Sequence, residues 1–186
     1  MLSRRRILGL LGSSCAVLLA PRWASAGVAR AVSLADLVKR STRVVHGVAL
    51  EGSARWETIG EQRRIVSYVR FRVDELIGGA PPGASEIYVR TLGGQVNGVG
   101  QIVHGEAVLF AGQRCLAFLS DSGEGFDYVT AMAQGHYPLA SDDAGALRLK
   151  GSPGLPELTG HGDSAVRRLV GQSLDDARSL IRGMAP

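Results

Sequence analysis

The sequence is poor in cysteine, with only Cys15 and Cys115 among its 186 residues. Cys15 lies in an N-terminal segment that we predict to be removed, and its loss leaves Cys115 alone. A single cysteine cannot form an internal disulfide, even in a compartment that permits one. Cys115 lies in the apolar run 114–119, so we expect a buried small hydrophobe rather than a reactive thiol. Stability must therefore come from packing.

The chain also lacks an apolar segment long enough to span a membrane. Its first 26 residues have the layout of a bacterial secretory signal peptide. Positive charge comes first, at residues 4–6, an apolar stretch follows over residues 7–20, and Ala24-Ser25-Ala26 is an A-x-A cleavage site. That stretch is shorter than the ~20 residues that cross a bilayer, so we expect no permanent membrane anchor. The sequence predicts a periplasmic or secreted protein.

The start of this leader favours one export route. Ser3-Arg4-Arg5-Arg6-Ile7-Leu8 resembles the twin-arginine motif S-R-R-x-F-L-K, and departs from it at Ile7 and Gly9. The apolar stretch is diluted by glycine and serine, and Arg22 adds charge near the cleavage site. We therefore predict twin-arginine export, with the Sec route as the alternative. A lipoprotein anchor at Cys15 is disfavoured, because Gly12 stands where such a signal requires leucine.

The remaining 160 residues have no excess of charge of either sign. The net charge of the whole chain is +4, and the leader contains four arginines and no acidic residue. Removing these arginines from the 21 basic residues leaves 17, equal to the 17 acidic residues. A nucleic-acid-binding protein normally gathers a basic excess on one face. The balance therefore argues against nucleic acid as a partner, and it does not decide the oligomeric state.

Alternation of apolar and polar residues predicts a mainly β domain. Residues 67–74 and 86–91 alternate as half-buried strands do, with the turn region 78–83 between them. Further β-rich runs cover residues 43–50, 115–119, 126–132 and 135–139, with a short edge segment at 146–150. Residues 92–100 are predicted to form a glycine-rich structural turn.

Two short helices are predicted at the ends of the domain. Ser33 and Asp36 form a variant capping box for a helix to residue 40, and Ser173 and Asp176 do the same for a helix to residue 182. We therefore predict a signal peptide over residues 1–26, a domain over 27–150, and a loop with a C-terminal helix over 151–186. The domain is expected to be an OB-like antiparallel barrel of five to seven short strands, with a β-sandwich as the alternative.

The order of several motifs carries a resemblance. They are Ser41 to Val48, Trp56, Tyr68 to Gly78, Gly93-Gly94, Phe110 to Leu119 and Gln134-Gly135. This order resembles a group of exported, mostly uncharacterised bacterial proteins whose OB-like core is similar to netrin-type modules, and it covers residues 33–140. The matching positions are core and turn residues, so the resemblance implies a fold rather than a function. Some netrin-type modules inhibit metalloproteinases through an N-terminal cysteine. Gly27 occupies that position here, so inhibition is not implied.

The sequence contains no recognisable catalytic or metal-binding motif. Its four histidines form neither H-x-H nor H-E-x-x-H, and we expect no metal and no other cofactor. Convergence of His104, Glu106 and His136 would be the one route to a metal site. His161-Gly162-Asp163-Ser164 contains residues of triad type, but adjacent loop residues do not form a triad. Asp142-Asp143 is expected to be a solvated turn.

One strand face is the best candidate for binding. Tyr68, Arg70 and Arg72 alternate along one strand, and Tyr88 and Arg90 lie on the next. An OB barrel binds its ligands on such an aromatic and basic face, although a merely solvated face would give the same pattern. We therefore predict a soluble exported binding module without catalytic activity, acting on an envelope component or a secreted protein. The alternative is a small hydrolytic or metal-dependent enzyme.

Overall fold

The computed structural model describes residues 28–160 and 162–184. The predicted signal peptide, with Arg4, Arg5, Ala24 and Ala26, lies outside the described residues. Within them the strands are β1 (Val28–Arg30), β2 (Arg43–Ile59), β3 (Gln62–Gly79), β4 (Glu86–Leu92), β5 (Gly94–Val96), β6 (Val99–Gln101), β7 (Arg114–Asp121), β8 (Asp127–Val129), β9 (His136–Ser141), β10 (Leu147–Leu149) and β11 (Glu157–Thr159). The helices are α1 (Leu34–Arg40), α2 (Ala165–Leu169) and α3 (Leu174–Arg182).

Seven of these strands form one sheet, which makes the domain mainly β as predicted. The strand order is β10-β9-β7-β2-β3-β4-β8, and β8 also pairs with β7. Hydrogen-bonded neighbours therefore form a closed circuit through β2, β3, β4, β8 and β7. The β4–β8 pair is parallel, and the other pairs of the sheet are antiparallel.

The hairpin of β2 and β3 is much longer than the sequence suggested. The β-rich run predicted from the sequence ends at residue 50, just before Gly52. Instead, β2 continues for 17 residues, and the register with β3 shifts between Ala49 and Gly52. Such a bulge bends a strand without ending it. The glycine thus marks a bend, and the prediction of short strands was wrong here.

Both predicted helix starts are confirmed. The Ser33 side chain accepts a hydrogen bond from the backbone N–H of Asp36 at 3.0 Å, and Ser173 does the same for Asp176 at 3.1 Å. Each cap satisfies one of the N–H groups that a helix start leaves without an internal partner. The C-terminal helix buries Ala177 and Ile181 against the sheet.

The buried residues fall into two clusters on opposite sides of the sheet. The first lies between the sheet and the helices: Leu34, Leu37, Val44, Ile77, Leu116, Phe118, Tyr137, Leu149, Ala165, Leu169, Ala177 and Ile181. The second lies within the circuit: Val45, Ala49, Val69, Phe71, Val89, Ala107, Cys115, Ala117, Leu119 and Val129. Cys115 is buried as predicted, and burial raises the pKa of its thiol to about 12.

The segment predicted as a loop after residue 150 contains further structure. Strand β11 pairs in parallel with β1, and Ser164 caps α2 by accepting from the backbone N–H of Arg167. The segment therefore ties the start of the domain to its end. Three-residue strands carry too little periodicity to be recognised from sequence.

Gly47 lies where two backbones approach closely. A Cβ atom at this position would lie 2.1 Å from the carbonyl oxygen of Arg72 and 2.6 Å from Cε1 of Phe71. We expect Gly47→Ala to destabilise the protein by about 2 kcal/mol, because a strand backbone cannot move away as a side chain can. Urea unfolding measures this change. Gly83→Ala is the control, since that Cβ would have no neighbour within 4 Å. Equal stability of the two variants would contradict the prediction.

Candidate functional site

The five residues predicted to bind a ligand lie together on one outer face. Tyr68 is opposite Arg90, and Arg70 is opposite Tyr88, across the β3–β4 pair. Arg72, opposite Glu86, continues the row. Side chains directly opposite each other in an antiparallel pair lie on the same side of the sheet. The structure therefore brings together all five residues, which we call the outer face.

Alternation explains why these residues point outward. The intervening residues Val69, Phe71 and Val89 are buried within the circuit. Because successive side chains of a strand point to opposite sides, burying one set fixes the other set on the surface. Tyr88 is accordingly 51% exposed.

The arginines of the outer face all have acidic partners. Arg70 lies 2.8 Å from Glu51 and 3.2 Å from Glu86, and Arg72 lies 2.9 Å from Asp74. These pairs are largely exposed, so each adds little to stability. The outer face is therefore a surface of paired charges and not the basic patch that its own residues suggested.

Glu57 of β2 joins the outer face, although no pattern in the sequence singled it out. Its carboxylate accepts hydrogen bonds from Arg55 at 2.7 Å, from the Tyr68 hydroxyl at 2.9 Å and from Arg90 at 2.9 Å. Desolvation raises the pKa of Glu57, but these three donors outweigh it and lower the pKa to about 2. The carboxylate is thus ionised, and it fixes the positions of one tyrosine and two arginines.

Aromatic rings border this carboxylate. The guanidinium of Arg55 lies 4.3 Å from the centre of the Tyr68 ring, and that of Arg90 lies 5.4 Å from the centre of the Phe126 ring. Phe126 meets Tyr68 edge to face at 5.5 Å. Such contacts hold planar groups in defined orientations. Tyr128 extends the row beyond Arg90, its neighbour across the β4–β8 pair, and is 46% exposed.

Arg55, Glu57, Tyr68, Tyr88 and Phe126 line a cleft of about 560 Å³. Its floor is formed by β2, β3 and β4, and its wall is residues 124–126 of the loop between β7 and β8. The loop is held by bonds from the backbone N–H of Ser122 to the Phe126 carbonyl and from the backbone N–H of Glu124 to the Ser122 hydroxyl. The volume is within the range of small-ligand sites.

Sequence reasoning found Tyr68 and Tyr88 but missed the other members of the cleft, among them Arg55, Glu57 and Phe126. Arg55 and Glu57 alternate with Trp56 in a segment beyond the β-rich run predicted over residues 43–50. Had the strand been extended to residue 59, this alternation would have placed both side chains on the outer face. Phe126 has no such signal, because a loop residue reaches the cleft through the topology alone.

The other candidate groups are not assembled into a metal site. His136 is buried with Nδ1 3.0 Å from the Ser152 hydroxyl, whereas His104 is exposed. The buried carboxylate of Glu106 accepts from the backbone N–H of Ala107 at 2.9 Å. Within residues 28–160 and 162–184 no three histidine, cysteine or acidic side chains are placed to hold a metal ion. His161 lies outside the described residues.

Comparison with known proteins gives no match to a protein-family model, to a curated protein or to a solved structure. Over the part of the chain that the structure describes, the helices are too short to cross a membrane.

Proposed function

We propose that this chain is an exported, non-catalytic binding module with an OB-like barrel, and that its ligand binds in the cleft on the outer face. The ligand is an envelope component or a secreted protein, met in the periplasm or outside the cell. The observation that carries the proposal is the convergence of Tyr68, Tyr88 and Phe126 around a fixed carboxylate in an open cleft.

The strand circuit supports the OB-like part of the proposal. Numbered in chain order, the five strands follow one another around the circuit as first, second, third, fifth, fourth and back to the first, and the third and fifth are parallel. An OB barrel binds its ligands on the face of its second and third strands, beside the loop between its fourth and fifth strands. Those positions correspond here to β3, β4 and the loop that carries Phe126.

The chemistry of the cleft supports binding of a polar ligand with little net charge. Its charged lining residues are Arg55, Glu57 and Glu124, and Arg90, outside the lining, forms an ion pair with Glu57. Aromatic faces beside paired donors and acceptors suit a ligand that has both flat apolar surfaces and hydroxyl or amide groups. A polyanion would require unpaired positive charge.

The state of Glu57 argues against catalysis in the cleft. A general base works best when its pKa lies near the operating pH, and the pKa of Glu57 is about 2. Its three donors leave it no free role as a nucleophile. Glu57 therefore serves to position Tyr68 and Arg90, and the proposal of a binding module is preferred to that of an enzyme.

Photo-crosslinking at the outer face tests the proposal. A photoreactive phenylalanine analogue replaces Tyr88 in the full chain, which is expressed in intact bacteria and irradiated. We expect a discrete adduct, because Tyr88 borders the cleft and is exposed. The adduct should be lost when Tyr68→Ala is added, since this change removes part of the floor of the cleft.

The same analogue at Phe110 is the control, because Phe110 is 53% exposed and lies away from the cleft lining. Adducts that are the same from both positions, or an adduct from Tyr88 that survives Tyr68→Ala, would overturn the proposed site. Absence of any adduct from Tyr88 would overturn it as well.

A further inference from the structure

Among the described residues, part of β2 has a strand on one side only. Its first residues pair with β7 as far as Val48, and the segment before β7 bonds both backbone groups of Ala49: its N–H to the Gln113 carbonyl, and its carbonyl to the Gly112 N–H. Over residues 52–58, which we call the open edge, β2 pairs only with β3 among the described strands. An unpaired edge is a template for another strand.

The backbone groups that the open edge offers can be identified. On β3, the Ile65 N–H donates to Gln101 and the Ile65 carbonyl accepts from Gly93, so both groups point away from β2. Trp56 is opposite Ile65. In such a non-hydrogen-bonded pair, the groups of Trp56 also point away from its partner. Because the register is regular from Gly52 to Ile59, the N–H and carbonyl groups of Ala54 and Thr58 point outward as well.

We propose that the open edge pairs with the open edge of a second copy of this chain, antiparallel and with Trp56 on the two-fold axis. The two copies would then use the same surface, as two-fold dimers do. Trp56 would be opposite Trp56, and Ala54 opposite Thr58 of the second copy. In each of these residue pairs, the backbone N–H and carbonyl groups of both residues point toward the other copy. Each pair therefore exchanges two hydrogen bonds.

Charge favours this register over those with the axis at residues 54, 55 or 57. With Trp56 on the axis, Arg55 is opposite Glu57 of the second copy, and the pair occurs twice by symmetry. Moving the axis to Arg55 would oppose two arginines, and moving it to residue 57 would oppose two glutamates. Moving it to Ala54 would oppose Glu57 and Glu51. Opposite charges directly across a strand pair stabilise it, and like charges destabilise it.

The dimer would join the outer faces of the two copies. Arg55 and Glu57 line the cleft of each copy. In the dimer, Arg55 of one copy would contact Glu57 of the other, and the same pair would form a second time by symmetry. This inference does not depend on the proposed function, because it rests on the backbone and charged side chains of β2 and not on a ligand in the cleft.

Cysteine crosslinking tests the register. Opposed residues of a hydrogen-bonded pair have Cα atoms about 5.5 Å apart, within disulfide range. We therefore expect Trp56→Cys in the full chain to form a crosslinked dimer under mild oxidation. Thr58→Cys is the control, because its two copies would be separated by four residues, about 13 Å. The wild-type chain is a further control, because any crosslink that it forms must come from Cys15 or Cys115. The register would be overturned if the two variants crosslinked equally, or if Trp56→Cys formed no crosslinked dimer.

A charge exchange tests the dimer itself by sedimentation equilibrium. The wild-type full chain should show twice the mass of one chain at high concentration. Arg55→Glu places a carboxylate against Glu57 of the second copy and should raise the dimer dissociation constant at least about tenfold. Arg55→Glu combined with Glu57→Arg restores opposite charges and should restore the dimer. A monomeric wild type would overturn the proposal. It would also be overturned if the double variant had a dimer dissociation constant as high as that of Arg55→Glu.

Discussion

Replacing Arg43 with methionine is expected to destabilise the protein by about 3–5 kcal/mol, the largest effect that we expect from a single change. Arg43 is buried at the start of β2, and its guanidinium lies 3.2 Å from Asp121 and 3.2 Å from Asp127. Asp127 is buried at the start of β8. Methionine would fill much of the space but leave the Asp127 carboxylate in a buried site without a counter-charge.

Two further variants separate this explanation from general damage. Arg43→Met with Asp127→Leu removes both buried charges, and it should recover most of the lost stability, because the desolvation penalty of the pair disappears with it. Arg114→Met, at an exposed arginine of β7, should change stability by less than about 0.5 kcal/mol. Urea unfolding measures all three. The ion-pair explanation is wrong if the double variant is as unstable as Arg43→Met.

Acidification from neutral pH to pH 4 is expected to cost about 3 kcal/mol of stability through His136 alone. This side chain is 1% exposed on β9, and burial lowers its pKa to about 4. The ordinary value is 6.5. Between these values the unfolded chain binds a proton that the folded chain does not. Stability is therefore lost as the pH falls from 6.5 to 4, and no more is lost through this group below that range.

His136→Asn removes the titrating group and can keep a donor near Ser152. Unfolding free energies measured by urea between pH 4 and pH 7 should fall less steeply for this variant than for wild type. His104→Asn is the matched control, because His104 is exposed, and it should follow the wild-type profile. If the unfolding free energy of His136→Asn had the same pH dependence as that of wild type, the prediction would be wrong. The histidine would then bind protons in the folded state as well.

Local sequence patterns predicted those parts of the fold that depend on interactions between residues close together in the chain. The serine caps at residues 33 and 173 satisfy backbone groups within three residues, so they can be recognised in a single window. The alternation over residues 67–74 fixed which side chains of β3 lie on the outer face. Tyr88 and Arg90 could be assigned to the same face, because β4 follows β3 after a short turn and pairs with it.

The rest depended on contacts between distant segments. Glu57 reaches Arg90 across β3, and Phe126 reaches Tyr68 because β8 closes the circuit beside β4. Neither contact leaves a trace in a window of sequence. The extension of β2 to residue 59 was missed for another reason: the predicted β-rich run ends before Gly52, and a bulge lets a strand bend there and continue.

The burial of Cys115 has a consequence for where this protein can fold. A thiol with a pKa of about 12 is present as thiolate in only ~10⁻⁵ of molecules at neutral pH, and the thiolate is the form that enters disulfide exchange. Oxidants, glutathione and other thiols therefore have almost nothing to react with in the folded domain. The same folded state is accessible under reducing and under oxidising conditions, so a change of compartment would require no change in the oxidation state of Cys115.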